Sequence, residues 1–199
     1  MPTLYILNMN KVKIEKIENL FNQLVENGAE IHNNGTYEVI ETKNIQVQTL
    51  NNAFTDVIWI SRHKTNKHLI KLYVETKISK NNCIDIYKHD YIVVTSDHVC
   101  MKYNRDHFFE NICAKDLKID DYVSIYNKYE NKDYIGTIKK IEDLGTTTEY
   151  VYDLEVANNS HAFYANDIYI HNSQFVNLQC VSDYMKSEYN LPDQIKDWT

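Results

Sequence analysis

The chain has 199 residues and a mass of 23.6 kDa, enough for one domain with a real hydrophobic core. Its net charge of −7 disfavours nucleic-acid binding, because phosphate recognition would need a basic patch against the overall sign. No apolar run approaches the ~20 residues that span a bilayer and no secretion signal opens the chain, so we expect no membrane association and a cytoplasmic location.

Short runs of β-branched and aromatic residues, separated by small polar breaks, predict a single all-β domain. Glycine and proline are scarce, at 4 and 2 residues, whereas tyrosine is frequent at 16. The predicted strands cover residues 3–7, 36–41, 45–50, 57–62, 69–75, 83–87, 91–95, 121–126, 134–142, 151–156 and 168–171.

One short amphipathic helix is predicted near the N-terminus. Its apolar residues recur at spacings of three and four, and Gly28 follows as a natural stop; they are Ile14, Ile17, Leu20, Phe21, Leu24 and Val25. A second helical pattern begins near Gln179 and ends before the pair Leu191-Pro192.

The most informative segment covers residues 151–173 and has the sequence VYDLEVANNSHAFYANDIYIHNS. It contains a tyrosine-aspartate pair, an internal histidine, an aromatic-Ala-Asn stretch and a strand that ends in His171-Asn172-Ser173. This ordered set resembles the C-terminal motifs of inteins. The resemblance implies a horseshoe of β-strands of the Hedgehog/intein (Hint) type, and autocatalytic protein splicing as the activity.

Asparagine at a C-terminal junction has a specific chemistry. Its amide nitrogen can close a ring on its own backbone carbonyl, which cuts the following peptide bond and leaves a succinimide. A neutral amide is a poor nucleophile and the departing amine needs a proton, so the step calls for a general acid and a polarised carbonyl. Asn172 is the candidate for this cyclisation, and the resemblance supplies His171 and His161 as candidate acids.

The resemblance implies further roles on both sides of this junction. Ser173 would be the first residue of the flanking protein, and its hydroxyl would take part in transesterification by attacking an ester formed at the other junction. Asp153 matches the family position of an acid that assists the first acyl shift; a plain alternative is a solvated carboxylate at a strand end.

A Thr-x-x-His motif, Thr95 to His98, directly follows the apolar strand 91–94. Inteins have such a motif at the end of a strand, where both side chains destabilise the N-terminal scissile amide. Thr65 and His68 have the same spacing, but the strand context of the second copy suits the family better.

Two more stretches extend the resemblance over nearly all of residues 3–173. Residues 114–126 look like the family's dLk.GDyv segment, with Asp120 where glycine is common, and residues 11–21 look like the segment after the opening strand, especially in inteins of family B DNA polymerases. No LAGLIDADG-type helices lie between Thr95 and Val151, so a homing endonuclease is not expected. We therefore expect an intein domain at 1–172 and the start of the C-terminal host segment at 173–199, with a DNA polymerase as the expected host.

The chain departs from the family at its first residues. Inteins begin with Cys or Ser, whereas this chain begins Met1-Pro2-Thr3. Either the chain is the larger piece of an atypically split intein, or gene calling has shortened an intact one. We favour the split form, which would splice in trans with a partner: a short N-terminal intein fragment that has the first nucleophile, Ser or Cys, and is fused to the N-terminal host segment.

No cofactor or metal is implied. The cysteines Cys83, Cys100, Cys113 and Cys180 form no CxxC pair, and the eight histidines show no ligand spacing, so reduced thiols are expected. Two other classes stay open: an inactive Hint-like β module that serves as a binding or structural domain, and a nucleic-acid-binding subunit of a replication complex. The net charge of −7 speaks against the second.

Overall fold

Strands form along most of the chain, as its β-branched and aromatic content predicts. The computed structural model describes residues 2–8, 11–33, 35–81, 84–104, 106 and 108–172, and the prediction of an all-β domain is confirmed. The strands in chain order are β1 (Thr3–Asn8), β2 (Lys11–Lys16), β3 (His32–Asn33), β4 (Tyr37–Glu41), β5 (Ile45–Gln48), β6 (Phe54–Lys64), β7 (His68–Asn81), β8 (Ile84–Thr95), β9 (Val99–Tyr103), β10 (Phe109–Cys113), β11 (Tyr122–Asn127), β12 (Lys132–Thr146), β13 (Tyr150–Val156), β14 (Ala162–Ala165) and β15 (Ile168–His171).

These strands make two antiparallel sheets that bring the start and the end of the described chain together. The first has the order β2-β1-β5-β6-β4-β3, with β13 also paired to β6, and the second has the order β10-β9-β15-β11-β12-β7-β8, with β14 on β15. The Thr3 amide donates to Asn166 Oδ1 at 2.6 Å, and the Asn166 amide donates to the Thr3 carbonyl at 2.9 Å. The start of β1 is thereby fixed beside the turn that precedes β15.

The predicted amphipathic helix is present as α1 (Ile17–Glu26), which buries Ile17, Leu20 and Phe21. Gly28 has a φ of 86°, the left-handed conformation that ends helices and favours glycine. The helix begins later than its apolar spacing predicts, because Ile14 lies in β2 opposite Tyr5 and stays exposed. No helix in the described ranges has the length and hydropathy of a membrane-crossing segment.

The strand predictions differ from the structure mainly in the second sheet. Two strands are predicted at 83–87 and 91–95, but residues 84–95 form the single strand β8, whose polar centre pairs with β7. Lys88 in this centre binds Asp90 at 2.9 Å and Asp167 at 2.5 Å, which compensates the burial of its charge. The pattern does not predict β2, β3, β9, β10 or β14; β14 has two alanines and no β-branched residue, so its strand signal is weak.

The hydrophobic core lies between the sheets and under α1, and Leu4, Phe21, Ile60 and Leu154 are fully enclosed in it. Gly136 on β12 allows a close approach, since a Cβ there would lie 2.6 Å from Val74 Cγ1 and 2.7 Å from Ile125 Cγ1. Buried tyrosines add a second cluster with polar partners for their hydroxyls; Tyr164, for example, donates to Asp133 at 2.9 Å. Part of the high tyrosine content therefore serves the interior, while Tyr87, Tyr91, Tyr122 and Tyr129 are exposed.

Candidate active site

The predicted junction residues His171 and Asn172 lie in the interior, at the end of β15. Every residue of β15 is buried, and the strand pairs with β14, β9 and β11. His171 is 5% exposed and Asn172 is 1% exposed. The end of the strand is thus held in a place screened from water, where hydrogen bonds and charges interact more strongly.

Asn172 is held at three points. Its backbone N–H donates to the His161 carbonyl at 2.7 Å, and its side-chain Nδ2 donates to Glu155 Oε2 at 2.7 Å. Its backbone carbonyl oxygen lies 2.5 Å from His171 Nδ1. The side-chain nitrogen and the backbone carbonyl, the two groups that a cyclisation would join, are therefore both fixed.

His171 is placed to polarise the Asn172 carbonyl. A carbonyl oxygen only accepts hydrogen bonds, so the contact requires a proton on Nδ1 of the ring. Burial lowers the pKa of His171 below its ordinary value, although its hydrogen bond to the Asn172 backbone opposes the shift. The ring is then neutral near pH 7 and donates as the Nδ1–H tautomer.

His161 contributes both its backbone and its ring. It sits in a tight turn with a φ of 46°, closed by a hydrogen bond from its N–H to the Asn158 carbonyl. The turn aims the His161 carbonyl at Asn172, and the half-exposed ring places Nδ1 at 3.5 Å from Glu155 Oε1. The centroids of the His161 and His171 rings are 6.1 Å apart.

The Thr95–His98 motif forms a tight turn after β8, in which the His98 N–H donates to the Thr95 carbonyl at 3.0 Å. Burial lowers the pKa of His98 to about 4, while Asp97 and a hydrogen bond to the His171 backbone oppose the shift. His98 is therefore neutral at pH 7 and joins this turn to the end of β15. Burial raises the pKa of Asp97, but hydrogen bonds from Lys67 and Thr95 outweigh it and hold that pKa below its ordinary value.

A cavity of about 510 Å³ opens beside this turn, and Thr95, His98 and Asp153 line it together with Pro2. Two further polar groups on β6, Ser61 Oγ and His63 Nδ1, also face the cavity region and have no hydrogen-bond partner among the described residues. Ser61 is only 1% exposed. Since buried polar groups are normally paired, these groups are suited to bind a peptide segment; we call this space the polar cavity after them, although apolar side chains such as Leu4, Leu69 and Ile92 form most of its lining.

Asp153 connects the polar cavity with the end of β15. It lies on β13 directly opposite Ser61 and is 9% exposed. One of its carboxylate oxygens accepts the Leu154 N–H at 2.8 Å. The charge of Asp153 also acts on two neighbours. It adds to the raised pKa of Glu155, and it partly offsets the lowering of the His171 pKa by burial. A solvated carboxylate at a strand end, the plain alternative from the sequence, does not describe this position.

The structure gathers the predicted site residues within the region of the polar cavity and the end of β15. These residues are Thr95, His98, Asp153, His161, His171 and Asn172. Ser173, Cys83, Cys180 and the helical pattern from Gln179 lie outside the described residues. In the other Thr-x-x-His copy, His68 is exposed and bound by Asp143 at 3.0 Å.

Sequence reasoning missed Glu155 and Ser61. Glu155 could have been found by strand alternation, because side chains two apart on a strand share a face and Asp153 had already been singled out. Ser61 had no signal of its own, since only its pairing opposite Asp153 brings it to the cavity.

Solved structures of inteins resemble the chain over most of its length. An intein from a hyperthermophile matches with a TM-score of 0.69 at 16% identity, over 85% of this chain and 95% of that one. The TvoVMA intein matches with a TM-score of 0.65 at 16% identity, over 86% of this chain and 98% of that one. The transcription factor IIB Mvu mini-intein matches with a TM-score of 0.64 at 23% identity, over 86% and 97%. The chain has the fold of an intein.

The intein fold confirms the predicted Hint-type arrangement of strands with one short helix near the N-terminus. The chain matches no protein-family model and no curated relative. In the part of the chain that the structure describes, no group of three or more His, Cys, Asp or Glu side chains is placed to hold a metal ion.

Proposed function

We propose that the chain performs autocatalytic protein splicing, as the larger piece of a split intein that acts in trans. The observation that supports this most strongly is the setting of Asn172. It is buried, its carboxamide nitrogen is bound by a carboxylate, and its backbone carbonyl receives a hydrogen bond from His171. An asparagine that served only packing would not need its own scissile carbonyl polarised.

In the C-terminal step, Asn172 Nδ2 attacks the Asn172 carbonyl carbon and the bond to the nitrogen of Ser173 breaks. Negative charge develops on the carbonyl oxygen, and His171 Nδ1–H stabilises it in a screened environment. The departing nitrogen takes up a proton from His161, because His171 holds its one ring proton on the carbonyl oxygen. The products are a C-terminal succinimide on residue 172 and a free amine on Ser173.

In the N-terminal step, the partner fragment places its first residue, Ser or Cys, in the polar cavity. Pro2 lines that cavity and Thr3 is tied to Asn166, so the beginning of β1 lies against the place where the junction would sit. Thr95 and His98 would strain and polarise the scissile amide, and Asp153 would assist the acyl shift. Ser61 Oγ has no hydrogen-bond partner among the described residues, and it would form a hydrogen bond with the backbone of the incoming fragment.

Transesterification follows when the Ser173 hydroxyl takes the acyl chain from the partner's first residue. Cyclisation of Asn172 then releases the joined host segments, of which residues 173–199 are the C-terminal one. We propose a DNA polymerase of family B as the host, because the sequence of Ser173 and the residues after it resembles the continuation of that family's catalytic strand.

Intact-mass measurement on the purified chain tests this function. The chain alone is expected to release the 173–199 peptide slowly without ligation. Addition of a synthetic N-terminal fragment with an initial Ser or Cys should give a ligated product. Asn172→Ala is the matched control and should release nothing. If the wild-type chain releases no 173–199 peptide with or without the fragment, the chain does not splice and the inactive Hint-like module is the better description.

A further inference from the structure

We propose that Glu155 is a catalytic residue, the base that accepts the proton from Asn172 Nδ2 during cyclisation. This inference rests on the proposed splicing function and adds a residue to its C-terminal step. It comes from one contact in particular: the nitrogen that must become a nucleophile already donates a hydrogen bond to a carboxylate, at 2.7 Å.

The two oxygens of the Glu155 carboxylate face two different groups. Oε2 accepts the hydrogen bond from Asn172 Nδ2, and Oε1 lies 3.5 Å from His161 Nδ1. The Glu155 side chain is 18% exposed and that of His161 is 53% exposed. The carboxylate therefore lies between a fully buried amide and an imidazole that reaches solvent. A group that accepts a proton from the amide could pass it to solvent through this imidazole.

The orientation of the Asn172 carboxamide favours a chemical role over a structural one. An ionised carboxylate can only accept hydrogen bonds, so the amide must present its nitrogen to Glu155. Asn172 Oδ1 is buried and has no hydrogen-bond partner among the described residues. The carboxamide of a buried asparagine that stabilised the fold would use its oxygen too, whereas the Asn172 carboxamide is bound only through its nitrogen, the atom that reacts.

Glu155 and His171 act on the two groups that react with each other in the cyclisation. Glu155 binds the hydrogen of the attacking nitrogen, and His171 binds the oxygen of the carbonyl that is attacked. A neutral amide is too weak a nucleophile to attack without loss of a proton, so a base at this nitrogen addresses the main barrier.

The proton balance closes without a further reactant. As Asn172 Nδ2 bonds to the Asn172 carbonyl carbon, one of its protons moves to Glu155 Oε2. The bond between that carbon and the Ser173 nitrogen breaks, and the nitrogen receives a proton from the His161 imidazole. Glu155 passes its proton to the His161 side, which restores the starting charges and leaves a succinimide and an amine.

The surroundings of Glu155 suit a base that works near neutral pH. Burial raises its pKa above the ordinary value, and so does the charge of Asp153 on the same strand, while His161 and Asn172 oppose the shift. On the neighbouring strand β6 the residue directly opposite is Trp59, which has no charge. A raised pKa makes the ionised carboxylate a stronger proton acceptor, and the cleavage rate should rise with pH as Glu155 ionises.

Glu155→Gln tests the proposal in the full 199-residue chain. Glutamine keeps the size and an oxygen that can accept from Asn172 Nδ2, but it cannot take up a proton. The rate of 173–199 release, followed by intact mass from about pH 5 to about pH 8, should fall about 100-fold and lose its rise with pH. Glu41→Gln, an exposed glutamate on β4, is the matched control and should behave as wild type.

A second variant distinguishes the loss of the base from a loss of folding. Glu155→Asp changes the shape more than glutamine does but keeps a carboxylate, so it should cleave faster than Glu155→Gln. A Glu155→Gln rate within about threefold of wild type with the same pH profile, or the reverse order of the two variants, overturns the role of Glu155 and leaves splicing intact. Absence of release from the wild-type chain overturns splicing itself, and this inference with it.

Discussion

The end of β15 and the polar cavity are neighbouring regions of one fold, but they differ in how completely their polar groups are paired. At the end of β15, the Asn172 carboxamide nitrogen and backbone form hydrogen bonds with Glu155, His161 and His171, and of the polar groups of Asn172 only Oδ1 has no partner among the described residues. In the cavity, Ser61 Oγ and His63 Nδ1 have no hydrogen-bond partner among the described residues. The first region has the contacts of a site ready to react, and the second has those of a site that receives a segment.

This difference implies that the reactions at the two junctions require different groups. Cleavage after Asn172 should depend only on side chains of this chain, whereas the N-terminal step should depend on a partner fragment in the cavity. His98 is the physical link, since it lines the cavity and hydrogen-bonds to the His171 backbone.

The largest effect is expected at the end of β15. His171→Ala removes the hydrogen bond to the Asn172 carbonyl oxygen and should slow release of 173–199 by about 100- to 1000-fold. Binding of an N-terminal fragment in the cavity should change little. The time course of release by intact mass gives the rate, and His89→Ala, at an exposed histidine, is the control. An unchanged rate would show that the contact is not used.

The link between the regions should appear as acid sensitivity. Because the pKa of His98 is about 4 in the folded chain and 6.5 ordinarily, the unfolded chain binds more protons between these values. The stability that His98 contributes is complete above pH 6.5 and is lost as the pH falls toward 4, by up to about 3 kcal/mol at ~1.4 kcal/mol per pKa unit.

Urea unfolding at several pH values, with wild type and His98→Gln, measures this loss. The variant should lose less stability on acidification than wild type, and the remaining loss should come partly from His63 and His171, whose pKa values burial also lowers. Equal losses in both proteins would show that His98 is not held neutral by the fold.

A substitution in the core should have a smaller effect, and it should affect both regions equally. Gly136→Ala places a Cβ 2.6 Å from Val74 Cγ1 and should destabilise the fold by about 1–3 kcal/mol. Adding Val74→Ala removes one of the clashing atoms, so the double variant should lose less than the sum of the single losses. Additive losses would mean that the close contact is not the cause.

The smallest effect is expected in the cavity. Ser61→Ala removes a buried hydroxyl without a partner among the described residues, so stability should stay constant or rise by about 1 kcal/mol or less. The affinity for an N-terminal fragment should fall about fivefold, while cleavage after Asn172 stays unchanged. Ser160→Ala is the contrast, since its hydroxyl lies 2.9 Å from the Tyr169 hydroxyl. A stability loss in Ser61→Ala would show that its hydroxyl is paired after all.

The sequence predicts the fold well where residue type and spacing decide the structure. The boundaries of the strand 168–171 and the buried face of α1 at Ile17, Leu20 and Phe21 follow from local pattern. Strand β14 is not recognised from its sequence because its four residues include two alanines and no β-branched residue, whereas the equally buried β15 has Ile168 and Ile170. Helical spacing predicts Ile14 in the helix, but its pairing in the hairpin of β1 and β2 overrides that spacing.

Motif order likewise led to the residues of the candidate site, but not to their contacts. That Glu155 binds Asn172, or that Ser61 faces Asp153, depends on the pairing of β13 with β6 and on the turn at His161. Such neighbours are far apart in the chain. Strand alternation places Glu155 on the face of Asp153, but it does not indicate that Asn172 or Ser61 lies beside them.

The central claim is that Asn172 cuts the bond after it by cyclisation, with groups that this chain supplies itself. The mass of the larger product from the purified wild-type chain, analysed directly after release of 173–199, tests it most directly. The account predicts a 1–172 product lighter by one water than the free acid, which then hydrolyses, and none from Asn172→Ala. A product that has the free-acid mass from the outset, or equal release from Asn172→Ala, would contradict it.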